Sequence, residues 1–348
     1  MAVEYGYRDP VALAMVLEET KGLDPYVGNK VFSDKYTHDK GAISFEIIKD
    51  EEEISQFSSK NKREPKVVNQ GNRKTLTYEA PRIYESVIFT AQDIEQFQVL
   101  DGQSESAIKL ANDAVQREIR KLKTRFERRL EQMCTSILVN GKLTVNQDDL
   151  DFEINFGLAP EQFVTLTTTA KWGASAADIM GNITTWRRNI AKKLGMSGDL
   201  LLVGSAAADA IRADEKIKKQ LDTSYNDAGF LKLQEDFGAA GTPVGKLAGA
   251  YIFEYTQQYS TTSGGNKTVV DMIPANQAIL LSTKANAFAK HFGGIARANG
   301  KGGFDVEKTE MKFEVFEDPR GQYIEWVIES KPLPVIQRPS ALISAVVM

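Results

Sequence analysis

The sequence predicts a mixed α+β fold organised around one long helix, and three observations predict it. The first is the segment Ser104 to Leu138. There Ile108, Ala111, Val115, Ile119, Leu122, Phe126, Leu130, Met133 and Ile137 recur at steps of three and four, with no Gly or Pro to interrupt them. At 1.5 Å per residue such a rod is about 50 Å long, more than one small core can enclose, so it serves as a beam for other parts or other subunits. The second is a long, lysine-rich, glycine-tipped hairpin directly before it. The third is a change of texture after residue 176, where short apolar runs alternate with helical patterns.

In chain order, Asp9 and Pro10 read as an N-cap and first-turn proline for a short helix through Val11, Leu13, Ala14 and Leu17 that stops before Gly22. The stretch from there to Asp39 reads as irregular. Ile43, Phe45 and Ile47 alternate with Ser44 and Glu46, and Leu76 and Tyr78 alternate with Thr75, Thr77 and Glu79, giving two half-exposed strands. Between them lies an acidic run, Asp50, Glu51, Glu52 and Glu53, then the bases Lys60, Lys62, Arg63, Lys66, Arg73 and Lys74, with Asn69 and Gly71 near the tip. Few apolar residues there could pin the excursion to its own domain, so it is expected to extend away from the body unless a neighbour supports it.

After the long helix, Leu143, Val145, Phe152, Ile154 and Phe156 suggest short strands around the turn Asp148-Asp149, ended by Gly157. A second amphipathic helix runs from Ala176 to Leu194 on Ile179, Ile183, Trp186, Ile190 and Leu194, and Gly195 closes it. Leu200 to Val203 is a buried strand, while Ser205 to Arg212 and Asp214 to Leu221 are helical. Val244, Tyr251 to Phe253, Val269 to Met272 and Ala278 to Leu281 are strands. Gly293 to Gly303 is expected to be a mobile glycine-rich loop. The last structured piece is expected to be a hairpin, with Phe313 and Val315 facing Ile324, Trp326 and Ile328 across Asp318-Pro319-Arg320-Gly321. No internal repeat is visible.

Composition narrows the function. The 348 residues allow two domains, and 42% hydrophobic with 26% charged residues is ordinary for a globular chain. Cys134 is the only cysteine, which excludes a disulfide framework and a thiolate cluster and makes it a small core residue. His38 and His291 are the only histidines and lie far apart, so zinc and Cys/His catalysis are not expected. Asp148, Asp149 and Asp151 read as solvated turn charges. A net charge of −4 argues against a dedicated nucleic-acid binder, though not against a protein that merely encloses nucleic acid. With no signal peptide or apolar span, the product is expected to be made in the cytoplasm, without a membrane. Ala240-Gly241-Thr242-Pro243-Val244-Gly245-Lys246-Leu247 approaches a P-loop but puts Leu247 where magnesium needs a hydroxyl, and Gly300-Lys301-Gly302-Gly303 is weaker still. No catalytic residue, metal or cofactor is expected.

The order of parts carries a resemblance. Asp24-Pro25-Tyr26, the hairpin before the long helix, Gly141-Lys142 after it, Trp172 ahead of Ala177-Asp178, Leu221-Asp222, Pro274-Ala275-Asn276 before Leu280 and Leu281, and Ser330-Lys331-Pro332-Leu333 follow one another at comparable spacing. Over nearly its whole length the chain resembles the lambda-type phage major capsid proteins, the capsid protein E family, which have the Hong Kong 97-type capsid fold. The resemblance implies an N-terminal arm (1–40), an extended E-loop hairpin (41–90), and a peripheral domain (91–175) holding the spine helix 104–138. It further implies an axial domain (176–305) and a return to the peripheral domain (306–348).

The function implied is that of a non-enzymatic shell protein. It forms pentamers and hexamers that close into the icosahedral head of a tailed phage around double-stranded DNA, assembled in the host cytoplasm and resident in the virion capsid. A separate scaffolding protein, a portal, a maturation protease and a decoration protein are the implied partners. Some relatives of the fold form an isopeptide cross-link; Lys60, Lys62 and Lys66 are available here, but lambda-type members are not expected to do so. The rivals are an encapsulin-like compartment shell enclosing a cargo enzyme, and a nucleotide-binding α/β enzyme built on residues 176–305.

Contact residues are expected in two places. From Lys60 to Lys74 the hairpin carries six bases against Glu64, a charge suited to an acidic surface such as the Asp50 to Glu53 run of another copy. Exposed ion pairs are worth roughly 0 to 1 kcal/mol each, so their contribution is orientation and register. From Arg117 to Glu131 seven bases face three acids. The pairs Glu118 with Lys121, Lys123 with Glu127 and Arg128 with Glu131 account for some of them. The pattern fits a solvated face and equally a role towards another subunit or DNA, in which Arg117 and Arg128 are the expected contact residues.

Overall fold

The computed structural model describes residues 8–20, 25–49, 72–94, 105–147, 150–221, 240–263, 266–298 and 303–348. Asp9 caps α1 (Pro10–Glu19), its carboxylate accepting from Val11 N at 2.9 Å, and Pro10 fills a first-turn position that needs no donor. Of the stretch expected to be irregular, the described residues 25–39 carry regular elements, because their backbone finds partners elsewhere in the chain. A single turn of π-helix (Val27–Val31) leads into β1 (Asp34–Thr37). Strands β2 (Ala42–Lys49) and β3 (Asn72–Glu79) pair antiparallel, β4 (Ile83–Thr90) follows, and the short α2 (Ala91–Ile94) precedes α3 (Glu105–Asn140).

The 36 residues of α3 span about 54 Å. It stops where Gly141 adopts φ +65°, and a Cβ there would come within 2.5 Å of the Phe163 ring. Next come the pair β5 (Lys142–Gln147) and β6 (Leu150–Asn155), then β7 (Phe163–Thr165) and α4 (Ile179–Leu194). Helix α4 begins three residues later than its pattern suggests, because Asp178 accepts from Gly181 N at 2.9 Å and caps it; Gly195 closes it at φ 70°. The chain continues as β8 (Leu200–Val203), α5 (Ser205–Ala213), α6 (Glu215–Leu221), β9 (Gly241–Leu247), β10 (Ala250–Tyr255), β11 (Gln258–Ser263) and β12 (Asn266–Asp271). It ends in β13 (Gln277–Leu281), β14 (Phe288–Phe292), β15 (Ile295–Ala298), β16 (Phe304–Glu307), β17 (Lys312–Glu317), β18 (Tyr323–Ser330), β19 (Pro332–Ile336) and β20 (Leu342–Val346).

Two cores are strung along α3. The larger surrounds a six-stranded sheet in the order β7-β20-β13-β8-β10-β9, whose central strands β8 and β13 are buried at every residue. Coverage on both faces explains their unbroken apolar runs. Trp172 stacks on Trp186 of α4 at 5.9 Å between centroids, and Phe126, Leu130, Met133 and Ile137 of α3 join the same core. The smaller core packs Ala114, Val115, Ile119 and Leu122 of α3 with Leu13, Val16 and Leu17 of α1 against one face of the sheet β17-β18-β4. Phe89 meets Trp326 edge-on there at 4.6 Å. The terminal hairpin has the register its alternation predicts, with Phe313 opposite Ile328 and Val315 opposite Trp326.

Three expectations need correction. The segment 293–303 is not simply a loop: β15 pairs antiparallel with β16, anchored by the buried Ile295, and only 299–302 lie outside the described residues. The β17–β18 hairpin is not the last structured piece, since β19 pairs with β14 and β20 sits inside the large sheet. The near-P-loop is strand β9, paired antiparallel with β10. No helix follows it to aim amides at a phosphate, and Lys246 instead lies over the Tyr251 ring at 4.8 Å.

Candidate assembly surfaces

The β2–β3 hairpin is bound at its root. Ile43, Phe45 and Ile47 turn into the large core, Phe45 lies 6.1 Å from Phe156, and Ile48 N donates to Gln337 O at 2.8 Å. The opposite face is polar: the Ser44 and Thr77 hydroxyls meet at 2.8 Å, and Arg73 pairs with Glu46 at 3.6 Å. Arg73 and Lys74 are exposed where the ladder leaves the body. Asp50, Glu51, Glu52, Glu53, Lys60, Lys62, Arg63 and Lys66 lie outside the described residues.

The bases of α3 divide among several tasks. Lys121 pairs with Glu118 at 2.7 Å, as its spacing predicts, and Arg125 reaches Glu85 of β4 at 3.0 Å. Lys123 donates to the carbonyls of Leu17 and Thr20 at 2.7 and 2.8 Å, satisfying acceptors at the C-terminal end of α1. Arg117 is exposed and Arg128 half-buried. Glu131, which spacing pairs with Arg128, turns inward instead.

There Glu131 acts as a cap supplied from a distance. Tyr26 provides no side-chain cap for the π-helical turn, and the Glu131 carboxylate accepts from Val27 N at 2.8 Å and Gly28 N at 2.6 Å. The Tyr255 hydroxyl of β10 donates to the same carboxylate. Burial pushes the Glu131 carboxyl above the ordinary carboxylate range, against the opposing pull of Tyr255, the two amides and Lys290. Burial pushes the Tyr255 hydroxyl up and the Lys290 amine down, and Lys290 Nζ lies 3.3 Å from Asn29 Oδ1. One fully buried side chain thus joins the arm, the spine helix and the large sheet.

A second polar cluster covers the outer face of the sheet β17-β18-β4. Arg297 of β15 is ion-paired with Glu314 and lies 3.5 Å from Glu329, and Arg82 donates to Glu329 at 2.7 Å. Burial pushes Glu329 up, but the hydrogen bonds and charges of Arg82 and Arg297 outweigh it and hold the carboxyl below its usual range. Sequence reasoning missed both clusters because their members are far apart in the chain. Glu131 did carry a signal, since it shares the apolar face of α3 with Cys134 and Leu138, three and seven residues on.

The two histidines are also brought together, contrary to the expectation from their separation, with His38 Nε2 2.9 Å from His291 Nδ1. Among the described residues no three His, Cys, Asp or Glu side chains are grouped as a metal site, and no helix is long and apolar enough to cross a membrane.

A spine helix joining two cores, with an arm capped onto it and a hairpin rooted beside it, is the architecture of Hong Kong 97-type shell proteins, and solved structures share it. A candidate capsid protein from a prophage of Escherichia coli CFT073 superposes with a TM-score of 0.68 at 14% identity, over 100% of both chains. A phage-related protein from Bordetella bronchiseptica RB50 gives 0.59 at 13%, over 97% of this chain and 96% of that one. The mature capsid of bacteriophage PhiM1 gives 0.50 at 12%, over 93% and 86%. At these identities the likeness is one of fold. The family model of phage major capsid protein E matches residues 9–347, and the chain belongs to that family of viral shell subunits. No curated protein sequence matches it.

Proposed function

We propose that this major capsid protein forms pentamers and hexamers that close into the icosahedral head of a tailed phage around double-stranded DNA. In that assembly residues 1–40 are the arm, 41–90 the hairpin laid over an adjacent subunit, 91–175 and 306–348 the peripheral domain, and 176–305 the axial domain. The observation that carries this reading is the family match over residues 9–347, on a fold whose spine helix joins both cores. The hairpin bases Lys60, Lys62, Arg63, Lys66, Arg73 and Lys74 meet acidic residues of a neighbour, Asp50 to Glu53 among them. Arg117 and Arg128 face a neighbour or the enclosed DNA. Each such contact is weak, and the shell is held by their repetition over a closed surface. A scaffolding protein, a portal and a decoration protein are the expected partners in the host cytoplasm.

Electron microscopy of the chain, expressed alone and with the other head proteins of its phage, tests this. Closed shells or curved lattices containing nuclease-resistant DNA support it, shells filled with a protein cargo favour the compartment reading, and a persistent monomer overturns both.

A further inference from the structure

The chain has only two histidines, and the fold stacks them at 5.1 Å between ring centroids, 253 residues apart in sequence. His38 directly follows β1, the strand of the N-terminal arm, and His291 lies in β14, which among the described residues is β1's one partner in its sheet. Strand β1 is short and mostly exposed. It is held by its parallel ladder, by His38 N donating to Phe292 O at 2.9 Å, by the Lys35–Glu310 pair at 2.7 Å and by the histidine contact.

The contact between His38 Nε2 and His291 Nδ1 needs one N–H and one lone pair. Two neutral rings supply them, and so does a pair carrying a single extra proton. When both rings are charged, two N–H groups point at each other across 2.9 Å in a part-buried site, and the contact becomes repulsive.

The other rings in contact with His291 carry no charge, and the acidic residue that shares their face of β1 is Asp34, one alternation back from Tyr36 and opposite Ala289. His291 is 5% exposed, its Nε2 has no hydrogen-bond partner, and the rings of Tyr36 and Phe45 lie 5.0 and 6.2 Å away. Opposite it on β19 stands Leu333. Lys35 and Lys290 alternate to the other face of β1 and β14, and Asp39 lies towards Lys308 at 3.9 Å.

We propose that the His38–His291 pair is an acid-sensitive fastening that releases β1, and with it the N-terminal arm, from β14 when both rings become charged. Burial, reinforced by His38, lowers His291 from 6.5 to about 4 while the strand is docked. A released His291 returns to its ordinary value, so the released state binds more protons than the docked one between those two values. Acidification through that window therefore favours release, in the limit by about tenfold per pH unit for one proton.

Hydrogen exchange of the full chain, read by mass spectrometry and corrected for intrinsic rates, tests this between about pH 7 and about pH 4. Protection of residues 34–38 and 289–292 should fall by up to about tenfold per unit, while that of residues 111–138 holds. His291→Phe, which keeps an aromatic ring among Tyr36 and Phe45, should remove the pH dependence. Should that variant fail to fold, His38→Gln at the half-buried position should shrink the step. The proposal is overturned by a flat profile at residues 34–38, by loss of protection in step with 111–138, or by variants that keep the full dependence of the parent.

Discussion

The Tyr255 hydroxyl donates to the Glu131 carboxylate across 124 residues of sequence, and the same carboxylate caps the turn at Val27 and Gly28. Removing Glu131 therefore strands two backbone donors and a hydroxyl in a dry interior. Glu131→Ala should cost about 3–5 kcal/mol, and Tyr255→Phe, which leaves the amides in place, about 1–3 kcal/mol. Urea unfolding of the full chain measures both, and equal losses would contradict the capping role.

Arg297, Arg82, Glu314 and Glu329 form a linked cluster, so single changes there should not add. Arg297→Met removes the cation shared by Glu314 and Glu329, leaving Lys312 at 3.6 Å from the first and Arg82 at 2.7 Å from the second, and should destabilise by about 1–3 kcal/mol, whereas Arg297→Met with Glu314→Gln should recover part of that loss. Glu329 is held below its ordinary value in the folded protein, so its stabilising contribution is present above the unfolded carboxylate value near 4.5. It is lost as pH falls through the lower folded value. Unfolding midpoints at several pH values should show this decline in the parent, and a smaller one in Glu329→Gln.

Gly141 ends α3 with φ +65°, and a Cβ there would come within 2.5 Å of the Phe163 ring. Gly141→Ala adds backbone strain to a clash, and about 1–3 kcal/mol of destabilisation is expected. Thermal unfolding is the measurement. An unchanged midpoint would mean that Phe163 moves aside without cost.

Arg73 and Lys74 are exposed, and the Arg73–Glu46 pair at 3.6 Å is an exposed one, so reversing both charges should cost folding no more than about 1 kcal/mol. Assembly should respond differently. Arg73→Glu with Lys74→Glu should slow shell formation, followed by light scattering, and weaken its dependence on salt. Normal assembly by the double variant would remove these residues from the contact.

Much of this architecture was legible because its signals are local. The period of α3 runs over many turns, the terminal hairpin alternates cleanly around a turn sequence, and Asp9, Pro10 and Gly195 mark helix ends. What escaped is governed by distant partners or by weak patterns. Strand β19 contains Pro332 and Pro334, which read as breakers although its partner β14 tolerates them. Strand β11 is a polar run in which Tyr259 alone packs on the large core, too little to impose an alternation. The Glu131 cap, the Arg82–Glu329 pair and the histidine pair unite residues far apart in the chain, a relation composition and periodicity do not encode.

The position of β20 between β7 and β13 bears on the timing of biogenesis. Strands β13 and β7 acquire that neighbour only after residue 346 has left the ribosomal tunnel, so until then the middle of the large sheet has an open hydrogen-bonding edge. A nascent chain therefore cannot present a finished subunit to its surroundings, and polymerisation must wait for translation to pass this strand.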